Sequence, residues 1–390
     1  MPLAPRRPPC PPSVRCYFLR GISPPSHSSH GEPSLRTKEA LVPLRECARK
    51  LQDLKAALGS ARRVLILTHD NPDPDCLASA QAFKLIFTHM DRECAVASGG
   101  EVGRAENRAL LDVLELEILP LHEVELATYD FFLFVDSQPG SGNNSCRLPQ
   151  DARYGIVDHH ILGENWPHEP AFLDLREHYG ASATLAYEYL LARNLRVDVP
   201  LATALYYAIR TETSDMGRGA GRSDRAAYLK LHPKIDWEIL HRIVNSRLPV
   251  DYFLLLREAV ERAQRFGRAV VVDLGPIRHP DFVAELADTF RRLEGIHWAL
   301  VWGWQEGRVV FSLRSNTQDP HMGHLARELV QGRGSAGGHR QMAGGQLRAQ
   351  GTDEEELRLQ FRRAIVPAFL RAVEQPVQDG LSLSQDGGLA

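Results

Sequence analysis

The sequence predicts an α/β protein in which a parallel-sheet domain is joined by a helical linker to a smaller α/β domain. Three observations carry that expectation. Short apolar runs of strand length alternate with helical patterns from about residue 60 to 210. Residues 223–266 then turn wholly helical, and a second alternating region follows up to about residue 375. At 390 residues the chain is long enough for two separate cores.

The first helical pattern covers 43–58, where Leu44, Leu51, Leu54 and Leu58 share a face. Strands are predicted at 64–68, 131–135, 155–157 and 171–175, with 95–98 a weaker candidate. Their short, continuous apolar character suits strands buried on both faces. Helices are predicted between or after them at 77–89, 107–114, 182–193 and 201–210. The first domain therefore spans 43–222, and Leu229, Leu240, Ile243, Leu254 and Leu255 mark the 223–266 linker. The second domain, 267–375, opens with a strand at 268–274 and a helix at 281–293. Strands at 298–304 and 309–314 follow, separated by the turn Gln305-Glu306-Gly307. A helix at 321–331, a glycine-rich segment at 332–345 and an amphipathic helix at 354–373 complete it. Residues 376–390, rich in Gly, Ser and Gln, read as a disordered tail.

Composition narrows the function classes. Hydrophobic residues at 43% and charged residues at 24% describe an ordinary soluble globular chain. A net charge of −3 argues against a basic surface that wraps long duplex DNA, while leaving room for a short nucleotide in a locally basic cleft. No stretch approaches 18 uninterrupted apolar residues, so no membrane span is expected. The six cysteines, at positions 10, 16, 47, 76, 94 and 146, form no C-x-x-C pair. That spacing suits neither a zinc ribbon nor a disulfide framework and implies a reduced, cytoplasmic setting. Residues 1–38 are rich in Pro, Ser and Arg and lack the apolar stretch of a secretion signal. Residues 1–42 are therefore set apart from the fold, as a disordered tail or as sequence upstream of the true start.

Four clusters carry candidate chemistry. The first follows strand 64–68 and reads His69-Asp70-Asn71-Pro72-Asp73-Pro74-Asp75. Three carboxylates beside one imidazole repel one another unless cations neutralise them, although Asn-Pro-Asp-Pro equally suits a polar turn. Cys76, within the same stretch, reads as a small apolar filler. Asp136 ends the apolar run 131–135, where a helix cap is the simpler explanation. Asp158-His159-His160 ends another run; adjacent histidines on extended chain point apart, so one can bind metal while the other faces substrate. The fourth, Thr211-Glu212-Thr213-Ser214-Asp215, follows a helix and offers Glu212 or Asp215. Their joint placement decides between the readings. Three of the four lie directly after a predicted parallel strand, and that carboxyl edge is where open α/β sheets bind ligands.

These segments, in order, resemble the DHH phosphoesterase superfamily in its two-domain form with a C-terminal DHHA1 domain. Ser79 fits the first motif, Ser312-Leu313-Arg314-Ser315 resembles the Ser-x-Arg-Ser strand, and Ser335 to Gly345 resembles the glycine-rich DHHA1 signature. The resemblance covers about residues 60–350. It implies two divalent cations, Mn²⁺ foremost with Mg²⁺ or Co²⁺ as alternatives. His69 and Asp73 are expected at one ion, Asp75 and His159 at the other, and Asp136 between them. Glu212 falls where the family has Asp, which leaves Asp215 as an alternative ligand. His160 is expected to contact the scissile phosphate and Asp158 to orient the histidines. Arg314, Gly337, Gly338 and His339 are expected to hold the nucleotide. Ala336 and Gly344 stand where the family commonly has Gly and Ala.

The function so implied is hydrolysis of short oligoribonucleotides, together with 3′-phosphoadenosine 5′-phosphate, by a water bridging the two cations. The alternatives are a cyclic-dinucleotide phosphodiesterase and an inactive nucleotide-binding regulator. The expected partner is a short RNA or nucleotide, with no long duplex DNA and no membrane; a homodimer is compatible with this reading.

Overall fold

The computed structural model describes residues 42–384 apart from Glu164, Gln318, His339, 349–353 and Asp379. After helix α1 (Val42–Leu58), the first domain alternates as expected: β1 (Arg63–Leu67), α2 (Pro74–Thr88), β2 (Glu93–Ser98), α3 (Ala105–Leu114) and the short β3 (Leu119–Pro120). Strands β4 (Phe131–Val135), β5 (Tyr154–Asp158) and β6 (Phe172–Leu175) follow, then α4 (Ser182–Ala192) and α5 (Val199–Glu212). The six strands lie in the order β3-β2-β1-β4-β5-β6, every pair parallel. The direction of winding reverses between β1 and β4, which opens a crevice beyond their carboxyl ends.

Alternation along the strands builds two unlike faces. Val64, Ile66, Leu133 and Val135 point into a core shared with helices α1 to α5. Leu65, Leu67, Phe132, Phe134 and Ile156 point the other way. That second face is closed by loop side chains such as Leu121, Leu126, Leu148 and Trp166 instead of by long helices.

Residues 223–266 differ from a simple helical linker. Helices α6 (Arg222–Leu231) and α7 (Trp237–Val244) place Ala227, Leu231, Leu240 and Ile243 in the first domain's core. Helix α8 (Val250–Arg262) instead packs Tyr252 and Ala259 against the second sheet. Gln264–Phe266 is a strand, β7, because Phe266 has a sheet neighbour in Ala269 that sequence periodicity does not reveal.

The second domain continues with β8 (Ala269–Pro276), α9 (Asp281–Phe290), β9 (Trp298–Gln305), β10 (Arg308–Ser315) and α10 (Met322–Val330). The glycine-rich segment folds into a hairpin, β11 (Gly334–Gly338) with β12 (Met342–Arg348). Helices α11 (Glu354–Gln360) and α12 (Val366–Ala372) fall within the predicted 354–373 span. A π-helical turn at Phe361–Ile365 separates them, as expected where Pro367 removes an amide donor and crowds the preceding turn. The expectation of disorder across 376–390 fails at Leu381–Ser382, which form β13 by pairing with the free edge of β7. Residues 385–390 of that tail lie outside the described residues. The seven strands run β11-β12-β10-β9-β8-β7-β13, with β8 and β9 the one parallel pair. No helix among the described residues is long and apolar enough to cross a membrane.

Leu133 sits fully buried in β4, between β1 and β5. Leu133→Ala should cost about 2–5 kcal/mol, read as a lower urea midpoint with an unchanged slope. A loss under about 1 kcal/mol would mean that this core collapses around the cavity.

Candidate metal centre

The crevice at the β1–β4 reversal gathers acidic and histidine residues from each of the four segments, though not Asp70 or Asp215. Asp73 is the N-cap of α2: its Oδ1 accepts from the backbone N–H of Asp75 (3.0 Å) and Cys76 (3.1 Å). Pro74 occupies the first helical position, where its missing N–H costs nothing. The polar-turn and metal readings of this segment are therefore compatible. Asp70 lies aside, accepting from Ser145 N (2.9 Å) and Oγ (3.0 Å) to hold the loop after β4.

Asp136 follows β4 with φ at +54°, a left-handed backbone that non-glycine residues adopt sparingly, Asp more readily than most. Its Oδ2 lies 3.7 Å from His69 Nε2, and its Oδ1 lies 3.4 Å from His159 Nε2 and 3.6 Å from His160 Nδ1. His69 Nε2 is 3.7 Å from Asp73 Oδ1, and His159 Nε2 is 3.6 Å from Asp75 Oδ2. These separations are long for direct hydrogen bonds and resemble the spacing of donors around a small divalent cation, whose bonds run at about 2.1 Å. Asp136 belongs to both donor groups that converge here, one with His69 and the Cys76 thiol and the other with His159 and His160. The mixed carboxylate and imidazole chemistry suits Mn²⁺ or a related ion.

Several contacts orient the donors. Asp158 Oδ1 accepts from His160 Nδ1 (2.7 Å) and from the N–H of His159 (2.8 Å), while Gln138 Nε2 donates to its Oδ2 (2.7 Å). His159 Nδ1 meets the Tyr179 carbonyl at 3.1 Å. The turn bearing that carbonyl is braced by Arg176, bidentate to Asp174 at 2.9 Å through both Nε and Nη2. Asp75 receives the first N–H groups of α4, from Ser182 and Ala183, each at 2.7 Å. Ser182 Oγ also donates to Asp136 Oδ1 (2.9 Å). Two helix N-termini, α2 at Asp73 and α4 at Asp75, thus offset part of the anionic repulsion.

Glu212, not Asp215, faces this cluster. It ends α5, within electrostatic reach of Asp73, His159 and Asp136. Residues 214–216 all take left-handed φ and swing Asp215 out, where its Oδ1 pairs with Arg210 Nε at 2.5 Å. Cys76 remains the filler expected: its Sγ donates to the Val135 carbonyl (3.3 Å), and burial pushes its pKa up to about 12.

The second-domain candidates are more scattered. Arg314 is buried and committed to Asp288, through Nε to Oδ1 (2.5 Å) and Nη2 to Oδ2 (3.4 Å). Gly338, at φ +143°, requires glycine, because a Cβ would lie 2.3 Å from the Met342 carbonyl. Gly337 has open space beside it. His339 lies outside the described residues.

Burial raises the Asp75 carboxyl well above its ordinary range, and the Asp136 charge adds to the effect. Burial and Asp73 act likewise on Glu212. At His159 and His160 burial disfavours the cation, but is outweighed by Asp136 in the first case and Asp158 in the second. Asp158 is held well below its ordinary range because His160 outweighs burial.

Residues 63–209 match the DHH family N-terminal domain and residues 267–366 match the DHHA1 domain. The chain belongs to the DHH superfamily in its two-domain DHH–DHHA1 form, a class of phosphoesterases. An uncharacterized protein of Methanocaldococcus jannaschii is 28% identical over 347 residues, which is 83% of this chain and 70% of that one. The cyclic-di-AMP phosphodiesterase GdpP of Geobacillus thermodenitrificans is 24% identical over 333 residues, covering 81% of this chain. The chain spans about half of that relative, 49% of its length. In fold, an exopolyphosphatase-related protein from Bacteroides fragilis superposes with a TM-score of 0.62 at 15% identity, over 84% of this chain and 96% of that one.

The protonation shifts predict how the metal-stripped protein responds to pH. His159 and His160 contribute stability in full below their ordinary value of 6.5, and lose it as pH rises through their raised folded values. Asp75 and Glu212, protonated more readily when folded, also lose stability as pH rises above the ordinary carboxyl range. In EDTA the melting temperature should therefore fall between about pH 6.5 and 8.5. Mn²⁺ should reverse the trend, because its ligands must be deprotonated. A flat or rising profile in EDTA would contradict these assignments.

Proposed function

We propose that the chain hydrolyses short linear oligoribonucleotides, and nucleotides such as 3′-phosphoadenosine 5′-phosphate, with two divalent cations of which Mn²⁺ is foremost. The observation that carries this reading is the placement of Asp136 in both donor groups, at the point where the sheet reverses. His69 and Asp73 would hold one ion and Asp75 and His159 the other, with Asp136 shared and Glu212 completing the set. Such ions, when bound, supply acidification of water and neutralisation of charge on the phosphoryl oxygens.

The protein's own groups do the rest. His160 is the more exposed of the paired histidines, its side chain 32% accessible against 4% for His159. Its Nδ1 is tied to Asp158 at 2.7 Å, which fixes the ring's orientation toward a phosphoryl or leaving-group oxygen. The Asp158 charge favours the cationic form of this imidazole, which suits donation of a hydrogen bond to that oxygen. Gln138 and the two histidine N–H groups hold Asp158 fixed, so the imidazole does not have to reorganise during reaction.

The preference for short substrates rests on how the second domain meets the crevice. Arg104 contacts Asp288, and a Cβ at Gly142, after β4, would lie 3.0 Å from Ser335 of β11. A seam pinned on both sides favours ligands of a few nucleotides. A cyclic dinucleotide is the second reading, favoured by the likeness to GdpP over 81% of this chain.

Turnover of pApA, 3′-phosphoadenosine 5′-phosphate, a ten-nucleotide RNA and cyclic di-AMP with Mn²⁺ separates these readings. The linear short substrates should lead, and equal rates on the ten-mer or a preference for cyclic di-AMP would overturn the preference. Asp136→Ala should abolish turnover, and His160→Ala should lower kcat by about 10²–10³. Glu212→Ala should impair turnover far more than Asp215→Ala. Full activity in Asp136→Ala would contradict the metal assignment.

A further inference from the structure

Outside the donor set, the two domains meet through a group of arginines gathered around one carboxylate. Arg104, just before α3, places Nη2 at 3.4 Å from Asp288 Oδ2 on α9. The same carboxylate fills the planar fork of Arg314 on β10, through Nε (2.5 Å) and Nη2 (3.4 Å). The remaining donors of Arg314 are also engaged. Nη1 donates to Ser312 Oγ (2.6 Å) and the Leu313 carbonyl (3.0 Å), and Nη2 reaches the Ala284 carbonyl at 3.5 Å. Arg314 therefore cannot grip an anion while Asp288 stays in place.

Further cations surround this pair. Arg218, beside Glu212, has its pKa lowered by burial, with Glu212 opposing and Arg314 and Arg291 adding to the decrease. Asp281, Glu285 and Glu106 add negative charge around Arg104. On Arg314 itself, Asp288 is the one acidic contact among the described residues. A carboxylate in that geometry presents two coplanar oxygens to the guanidinium, as a phosphate does.

We infer that Asp288 is a built-in competitor that occupies the Arg314 fork until a second, non-scissile phosphate of the substrate displaces it and frees Arg104 at the seam. The inference rests on the phosphoesterase reading and narrows its substrate class to molecules carrying a phosphate besides the one attacked. A terminal phosphate brings more charge than a carboxylate and can outcompete Asp288 among several guanidiniums. A substrate without that phosphate leaves the pair closed. The repulsion between Asp288 and the incoming phosphate lowers affinity for every such ligand, and so sets a threshold that stray single anions do not easily cross.

Asp288→Asn tests this, since the amide keeps an oxygen for Arg314 Nε and removes the competing charge. With Mn²⁺, KM for pApA should fall about tenfold, with a smaller change in kcat and less than a twofold change for ApA. A purely supporting role would move both substrates together or raise KM for pApA, and either result overturns the inference. Titration with AMP in the turnover-deficient Asp136→Ala background decides the matter independently of catalysis. Adding Asp288→Asn should tighten AMP about tenfold, and adding Arg314→Lys as well should remove that gain. Unchanged or weaker AMP binding on adding Asp288→Asn contradicts the proposal. If wild-type protein cleaves neither dinucleotide, the substrate reading fails while the AMP titration still decides the role of Asp288.

Discussion

Holding Asp75 and Asp136 side by side is the constraint from which the rest of the first domain follows. Each is almost completely buried, at 1% and 2% accessibility, where like charges repel strongly. The fold meets this with fixed dipoles. The N-terminus of α4 gives two N–H groups to Asp75, the Ser182 hydroxyl binds Asp136, and Asp73 caps α2. These contacts orient the carboxylates without removing the repulsion between them. The left-handed backbone at Asp136 belongs to the same arrangement, because it turns the chain sharply as β4 leaves the sheet.

Sheet topology explains why these groups can meet at all. In an order that reverses between β1 and β4, the segments leaving those two strands diverge to opposite sides and leave a crevice between them. His69, Asp73 and Asp75 enter from β1, Asp136 from β4, and His159 and His160 from β5. The second domain then faces the crevice with α9 and the glycine hairpin. Its charged contacts at Asp288 belong to the seam and not to the cluster of acidic and histidine donors.

Much of this arrangement was legible in the sequence because parallel strands buried on both faces are short and apolar, and because polar residues directly after them have few structural excuses. His69, Asp136 and His159 stand out in the sequence for that reason, and the structure brings them together. The Glu212 or Asp215 alternative needed coordinates, since three successive left-handed residues decide which carboxylate turns inward. Ser182, Gln138, Arg218 and Asp288 carried no local signal. Ser182, Gln138 and Asp288 act through partners distant in sequence: Ser182 touches Asp136 across 46 residues, and Arg314 touches Asp288 across 26. The 223–266 stretch, expected to be wholly helical, is helical except at its end, where Gln264–Phe266 forms a strand. Its division between two cores depends on which face each helix buries, and periodicity alone does not report that.

The central claim is that the crowded carboxylates form one shared site for a pair of cations, with Asp136 common to both. The most direct measurement is the number of Mn²⁺ ions retained per chain, by equilibrium dialysis with elemental analysis, for the wild type and for Asp136→Asn. The account predicts two ions in the wild type and the loss of both in the variant, whose side chain keeps its size but not its charge. A wild type that binds none, or a variant that still binds two, would contradict it.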